Sequence, residues 1–85
     1  MYKIEYLTKV IEKDIPKLPS SAKKLIKKAI EERLTLDPIA YGKPLRYGLY
    51  GQRRLRVSDY RIIYIVDSQN KLVTITAIGH RKNIY

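Results

Sequence analysis

An α+β fold, ordered β-α-α-β-β-β, is predicted by three features of this 85-residue sequence. Residues 20–36 repeat apolar side chains at helical spacing, while residues 52–80 repeat them at strand spacing with turn residues between. The first six residues also alternate. A helical hairpin packed on a small, largely antiparallel sheet buries all of these patterns at once. The length suits one domain, residues 1–85, with a modest core.

Met1 to Tyr6 is β-prone and reads as a short first strand. Thr8 is the expected N-cap of a helix with Val10, Ile11, Ile15 and Leu18 on one side, which Pro16 should end or kink. After Pro19, Ser20 or Ser21 is expected to cap a stronger helix reaching about Leu36. Its apolar side carries Ala22, Leu25, Ile26, Ala29, Ile30 and Leu34. Lys23, Lys24, Lys27 and Lys28 lie opposite, as a solvated face. Asp37-Pro38 stops this helix, and residues 38–50 form a connection rich in Tyr, Gly and Pro. Strands are expected at about 52–57, 60–67 and 71–80, with Ser58-Asp59 and residues 67–71 as the turns.

The formal charge is +10. Residues 1–42 hold nine basic and six acidic side chains, against nine and two in residues 43–85. The excess therefore falls on the predicted sheet, and such a field points to a polyanion, most often nucleic acid. There is no cysteine and only one histidine, His80, so neither a thiolate metal site nor a disulfide framework is expected, and no cofactor is implied. No apolar run approaches a membrane span, and the N-terminus lacks the apolar core of a signal peptide. A cytoplasmic protein without membrane partners is the resulting expectation.

The run Arg53-Arg54-Leu55-Arg56-Val57-Ser58-Asp59-Tyr60-Arg61-Ile62-Ile63-Tyr64 carries the chemistry. A two-residue turn pairs Val57 with Tyr60, and hence Arg56 with Arg61, Leu55 with Ile62 and Arg54 with Ile63. Arginines directly opposite each other destabilise a sheet, and an anion between them offsets the repulsion. If Ile65 opposes Val73, parity places Gln52, Arg54, Arg56, Arg61, Ile63, Ile65, Val73, Ile75, Ala77, Gly79 and Arg81 on one face. Leu55, Val57, Ile62, Tyr64, Val66, Leu72, Thr74, Thr76 and Ile78 then face the helices, and His80 lies opposite Arg81. Arg54, Arg56, Arg61 and Arg81 converge, and their planar forks match phosphate oxygens. Tyr60 and Tyr64 read as core residues. Tyr41, Tyr47 and Tyr50 are placed to stack bases or to cover the sheet edge, and Tyr85 follows the arginine cluster.

Several motifs together resemble the RelE/ParE toxin superfamily of bacterial toxin–antitoxin systems. They are the basic paired helices, Gly42-Lys43-Pro44-Leu45, Arg53-Arg54-Leu55-Arg56-Val57 with Asp59-Tyr60-Arg61-Ile62-Ile63-Tyr64, and Ile78-Gly79-His80-Arg81-Lys82-Asn83-Ile84-Tyr85. The chain looks most like the RelE-type mRNA interferases. That resemblance implies a ribosome-dependent endoribonuclease that cuts mRNA in the A site without a metal. The ribose 2′-OH attacks the adjacent phosphate, leaving a 2′,3′-cyclic phosphate and a 5′-OH. Arg54 and Arg61 would stabilise the phosphorane, Arg81 would act as general acid or charge clamp at the leaving oxygen, and Tyr85 would stack on a base. Arg53, Arg56, Lys43, Arg46, His80 and Lys82 are the expected substrate-binding residues around them. A RelB-like antitoxin with an acidic binding segment is the implied protein partner.

The sequence departs from the pattern at Gln52, where several active relatives carry lysine. Glutamine takes no proton, and arginine is a poor general base, so the base is unassigned. A ParE-like gyrase poison and a non-toxic basic nucleic-acid-binding module are the competing readings.

Overall fold

The computed structural model describes residues 1–45 and 51–84, and all structural statements refer to these. Strand β1 (Lys3–Tyr6) leads into helical turns at Val10–Asp14 and Ile15–Lys17, then a long helix formed by Ser20–Ala29 and Ile30–Leu34. A short helix, Pro38–Tyr41, precedes β2 (Lys43–Pro44), β3 (Gln52–Val57), β4 (Tyr60–Asp67) and β5 (Leu72–His80). The strands form one sheet in the order β1-β5-β4-β3-β2, antiparallel except for β1 beside β5. The predicted α+β architecture is thus present, with an added two-residue strand inside the expected connection. No helix among the described residues is long and apolar enough to cross a membrane.

Both helical stretches begin differently from expectation. Leu7 O accepts from the Val10 and Ile11 amides, so Thr8 lies inside the first turn rather than capping it. Pro19 takes the N-cap position of the long helix, with no side-chain cap from Ser20 or Ser21. Pro16, which has no amide hydrogen, stands at the start of the tight Ile15–Lys17 turn, and Leu18 beyond it is extended. Val10, Leu18, Ala22, Ile26, Ala29, Ile30 and Leu34 are buried against the sheet, whereas Ile11 and Leu25 are exposed. The long helix stops near Thr35, and the Asp37 carboxylate then caps the short helix by accepting from the Ala40 amide at 3.1 Å.

The short helix is pinned from below by the sheet. The Tyr64 hydroxyl donates to the Pro38 carbonyl at 2.6 Å, and Tyr64 is fully buried. Burial pushes the Tyr64 hydroxyl up from its ordinary pKa, with neighbouring Arg53 partly opposing the shift. Gly42 passes directly over that hydroxyl, so any Cβ there would collide with it.

The β3–β4 hairpin has the predicted register: Val57 faces Tyr60, Arg56 faces Arg61, Leu55 faces Ile62 and Arg54 faces Ile63. Ser58 supplies the positive φ, 55°, that the two-residue turn requires. Register across β4–β5 corrects the expectation. Val66, not Ile65, faces Val73, and Ile65 faces Thr74. A bulge at Thr76 separates this half from Ile63–Ala77 and Arg61–Gly79. Val73 and Ile75, expected on the arginine face, are therefore fully buried with Tyr64 in the helix-side core. Thr74 is displaced to the other face, and the Thr76 hydroxyl reaches Gln52 there. Beyond the bulge Ile78 returns to the core, while Ala77 and Gly79 regain the arginine face.

Three expectations follow for stability. Tyr64→Phe leaves the Pro38 carbonyl without its donor and should lose about 1–3 kcal/mol in urea unfolding; Gly42→Ala should lose a similar amount by forcing the same contact apart. Asp67 accepts from the Asn70 side chain at 2.8 Å and the Asn70 amide at 3.1 Å, which holds its carboxyl below the ordinary value. Since the folded value lies below the unfolded one, this stabilisation is present above about pH 4 and fades as pH falls through the folded value. Asn70→Ala should flatten that acid limb, measured as stability against pH.

Candidate phosphate-binding face

Four arginines share the sheet face away from the helices. Arg54 and Arg56 alternate with buried Leu55 and Val57 on β3, and Arg61 opposes Arg56 from β4. Arg81 follows β5, where Gly79 pairs with Arg61. The Arg81 amide donates to the Asp59 carbonyl at 2.7 Å, and its Nε lies 3.8 Å from the Asp59 carboxylate. The Arg61 guanidinium leans over the turn, with Nη1 3.1 Å from the Tyr60 carbonyl and 3.5 Å from that of Ser58. Its pKa is lowered by desolvation first, then by Arg56, Arg54 and Arg81, with Asp59 opposing. Asp59 and Asp67 are the only acidic side chains after residue 37 in the sequence, so the positive field is barely offset.

Other expected site residues are placed differently. Arg53 points to the helix side, where its Nη2 donates to the Ile39 and Gly42 carbonyls at 2.6 and 2.8 Å. It serves as a C-terminal clamp on the short helix and is turned away from the arginine cluster. Lys43 pairs with Arg54 on β2 and borders a shallow cavity of about 140 Å³, together with Arg33, Tyr41, Arg54 and Arg56. Arg33 was not among the expected site residues, because its position on the long helix gives no sequence sign of proximity to the sheet. Lys82 is exposed beyond β5. His80 lies on the face opposite the arginines, with its ring edge-on to Tyr60 at 5.5 Å between centroids. Arg46, Tyr47, Tyr50 and Tyr85 lie outside the described residues.

Gln52 sits on the arginine face, its Oε1 3.3 Å from the Thr76 hydroxyl, which is also 3.2 Å from the Ile63 carbonyl. Chain direction after β5 matters equally. The Asn83 amide donates to the His80 carbonyl at 2.8 Å, closing a turn that lays Ile84 against Gly79. Gly79 faces the same way as Arg61, so residues 81–84 turn back toward the cluster. A cleft of about 1110 Å³ opens around this point, bordered by Lys9, Asp14, Tyr60, His80, Arg81 and Ile84.

The structure is similar to a chain in the crystal structure of the RelBE2 toxin–antitoxin complex of Mycobacterium tuberculosis. Their TM-score is 0.87 at 30% identity, over 94% of this chain and 98% of that one. It is also similar to a chain of the intact Escherichia coli RelBE complex, with TM-score 0.76 at 25% identity over 94% and 96% of the two chains. In sequence it is 31% identical over 84 residues to Toxin RelG of M. tuberculosis, covering 99% of this chain and 95% of that protein. The family described as ParE toxin of type II toxin–antitoxin system, parDE, matches residues 6–85, and the chain belongs to this family within the RelE/ParE superfamily.

Like-charge crowding predicts a salt response. Raising ionic strength from low values screens the Arg56–Arg61 repulsion and should stabilise the protein. Arg56→Gln should be more stable than the wild type at low salt and show a smaller gain on adding salt, measured by thermal unfolding.

Proposed function

We propose that this protein is the toxin of a type II toxin–antitoxin pair and cleaves mRNA held on the ribosome. The observation that carries the reading is the convergence of Arg54, Arg56, Arg61 and Arg81 on one sheet face with little acidic compensation. In the proposed reaction the 2′-oxygen bonds to phosphorus, the bond to the 5′-oxygen breaks, the 2′-OH gives up its proton and the 5′-oxygen gains one. Arg61 and Arg54 stabilise the charge on the phosphorane oxygens, and Arg81 acts at the departing 5′-oxygen. Tyr85 stacks on a base. Gln52 takes no proton, so the rate rests on alignment and charge, with the 2′-OH proton passing to a group outside this set.

An antitoxin with an acidic segment is the complementary partner. Covering four arginines with carboxylates removes both their mutual repulsion and the phosphate site. The alternative reading is a ParE-like gyrase poison, in keeping with the ParE name of the matched family. Purified ribosomes programmed with message separate the two readings. Cleavage in the A site, reduced at least 100-fold in Arg61→Ala and Arg81→Ala, is the expected result. Intact message together with arrested gyrase supercoiling would replace it with the alternative.

A further inference from the structure

His80 is the single histidine of the sequence, which makes it the obvious candidate for the missing base. Its geometry argues for another task. Parity directs it away from the arginines, and its ring is held edge-on against half-buried Tyr60. Its Nδ1 accepts the Lys82 amide at 3.2 Å, so that lone pair is already engaged with the backbone two residues on. The His80 carbonyl meanwhile accepts the Asn83 amide at 2.8 Å. Imidazole and carbonyl of one residue therefore hold the Lys82 and Asn83 amides of the turn that sends Ile84 back over Gly79.

We propose that His80 is a positioning residue whose Nδ1, as acceptor, caps the 80–83 turn and so aims Arg81 and residues 82–84 at the arginine face. The arrangement imitates an Asx-turn, in which a side-chain oxygen accepts the amide two residues ahead. Asparagine Oδ1 stands at the same distance along the side chain as histidine Nδ1. Asparagine therefore replaces the cap but transfers no proton.

The activity arm of the test rests on the nuclease reading, while the structural arm does not. In the structural arm, amide hydrogen exchange is followed at Lys82 and Asn83, with Ile62 and Tyr64 reporting that each variant is folded. His80→Ala should exchange at least about fivefold faster at Lys82, the loss of one hydrogen bond, whereas His80→Asn should stay near the wild type. In the activity arm, message cleavage on ribosomes should fall roughly tenfold or more in His80→Ala and remain within about threefold in His80→Asn. Equal loss of cleavage in both variants, with Lys82 still protected in His80→Asn, would overturn the proposal in favour of proton transfer. Unchanged Lys82 exchange in His80→Ala would overturn it outright. A wild type that leaves message intact refutes the nuclease reading, and the exchange arm still decides the turn.

Discussion

The bulge at Thr76 is the constraint from which the working face follows. Val73 and Ile75 must point to the helices to complete the core, and both are fully buried. An unbroken strand would then send Gly79 and Arg81 inward too and turn Ile78 and His80 outward. One extra residue reverses the alternation, so β5 buries Val73, Ile75 and Ile78 yet delivers Arg81 to the other side. The Thr76 hydroxyl beside the Ile63 carbonyl and Gln52 ties the irregularity to the adjacent β4 and to β3 beyond it.

Charge repulsion among the arginines works against the sheet that carries them, and apolar pairing on its opposite face outweighs it. Leu55 faces Ile62 and both are buried, one residue away from the Arg56–Arg61 pair. Burial of two such side chains contributes about 3–6 kcal/mol, while a directly opposed like-charge pair costs about 1 kcal/mol or less. The hairpin therefore holds guanidinium groups close together before any anion arrives. Preorganisation of that kind would serve the proposed reaction, because charge is then in place without reorganisation in the transition state.

Arg53 illustrates where a sequence reading of function stops. It stands in the same basic run as Arg54 and Arg56, and nothing in its chemistry distinguishes it from them. Strand parity turns it to the helix side, where two carbonyls at the end of the short helix take up its guanidinium. Arg33 is the converse case, since only the packing of the long helix brings it to the cavity beside Arg54 and Arg56. The helix starts follow the same logic. A proline and a backbone carbonyl took the capping positions expected of Ser20 and Thr8.

The sequence alone determined the order of the main elements, the β3–β4 register and the pairing of Arg56 with Arg61, because a two-residue turn and period-two alternation act over a few neighbouring residues. Tertiary structure decided the β4–β5 register, the side on which Val73 and Ile75 lie, and the carbonyl partners that Arg53 finds at the short helix. The physical reason is that a bulge forms where the core requires it. That requirement is set by the volume between sheet and helices, which no local window of residues contains.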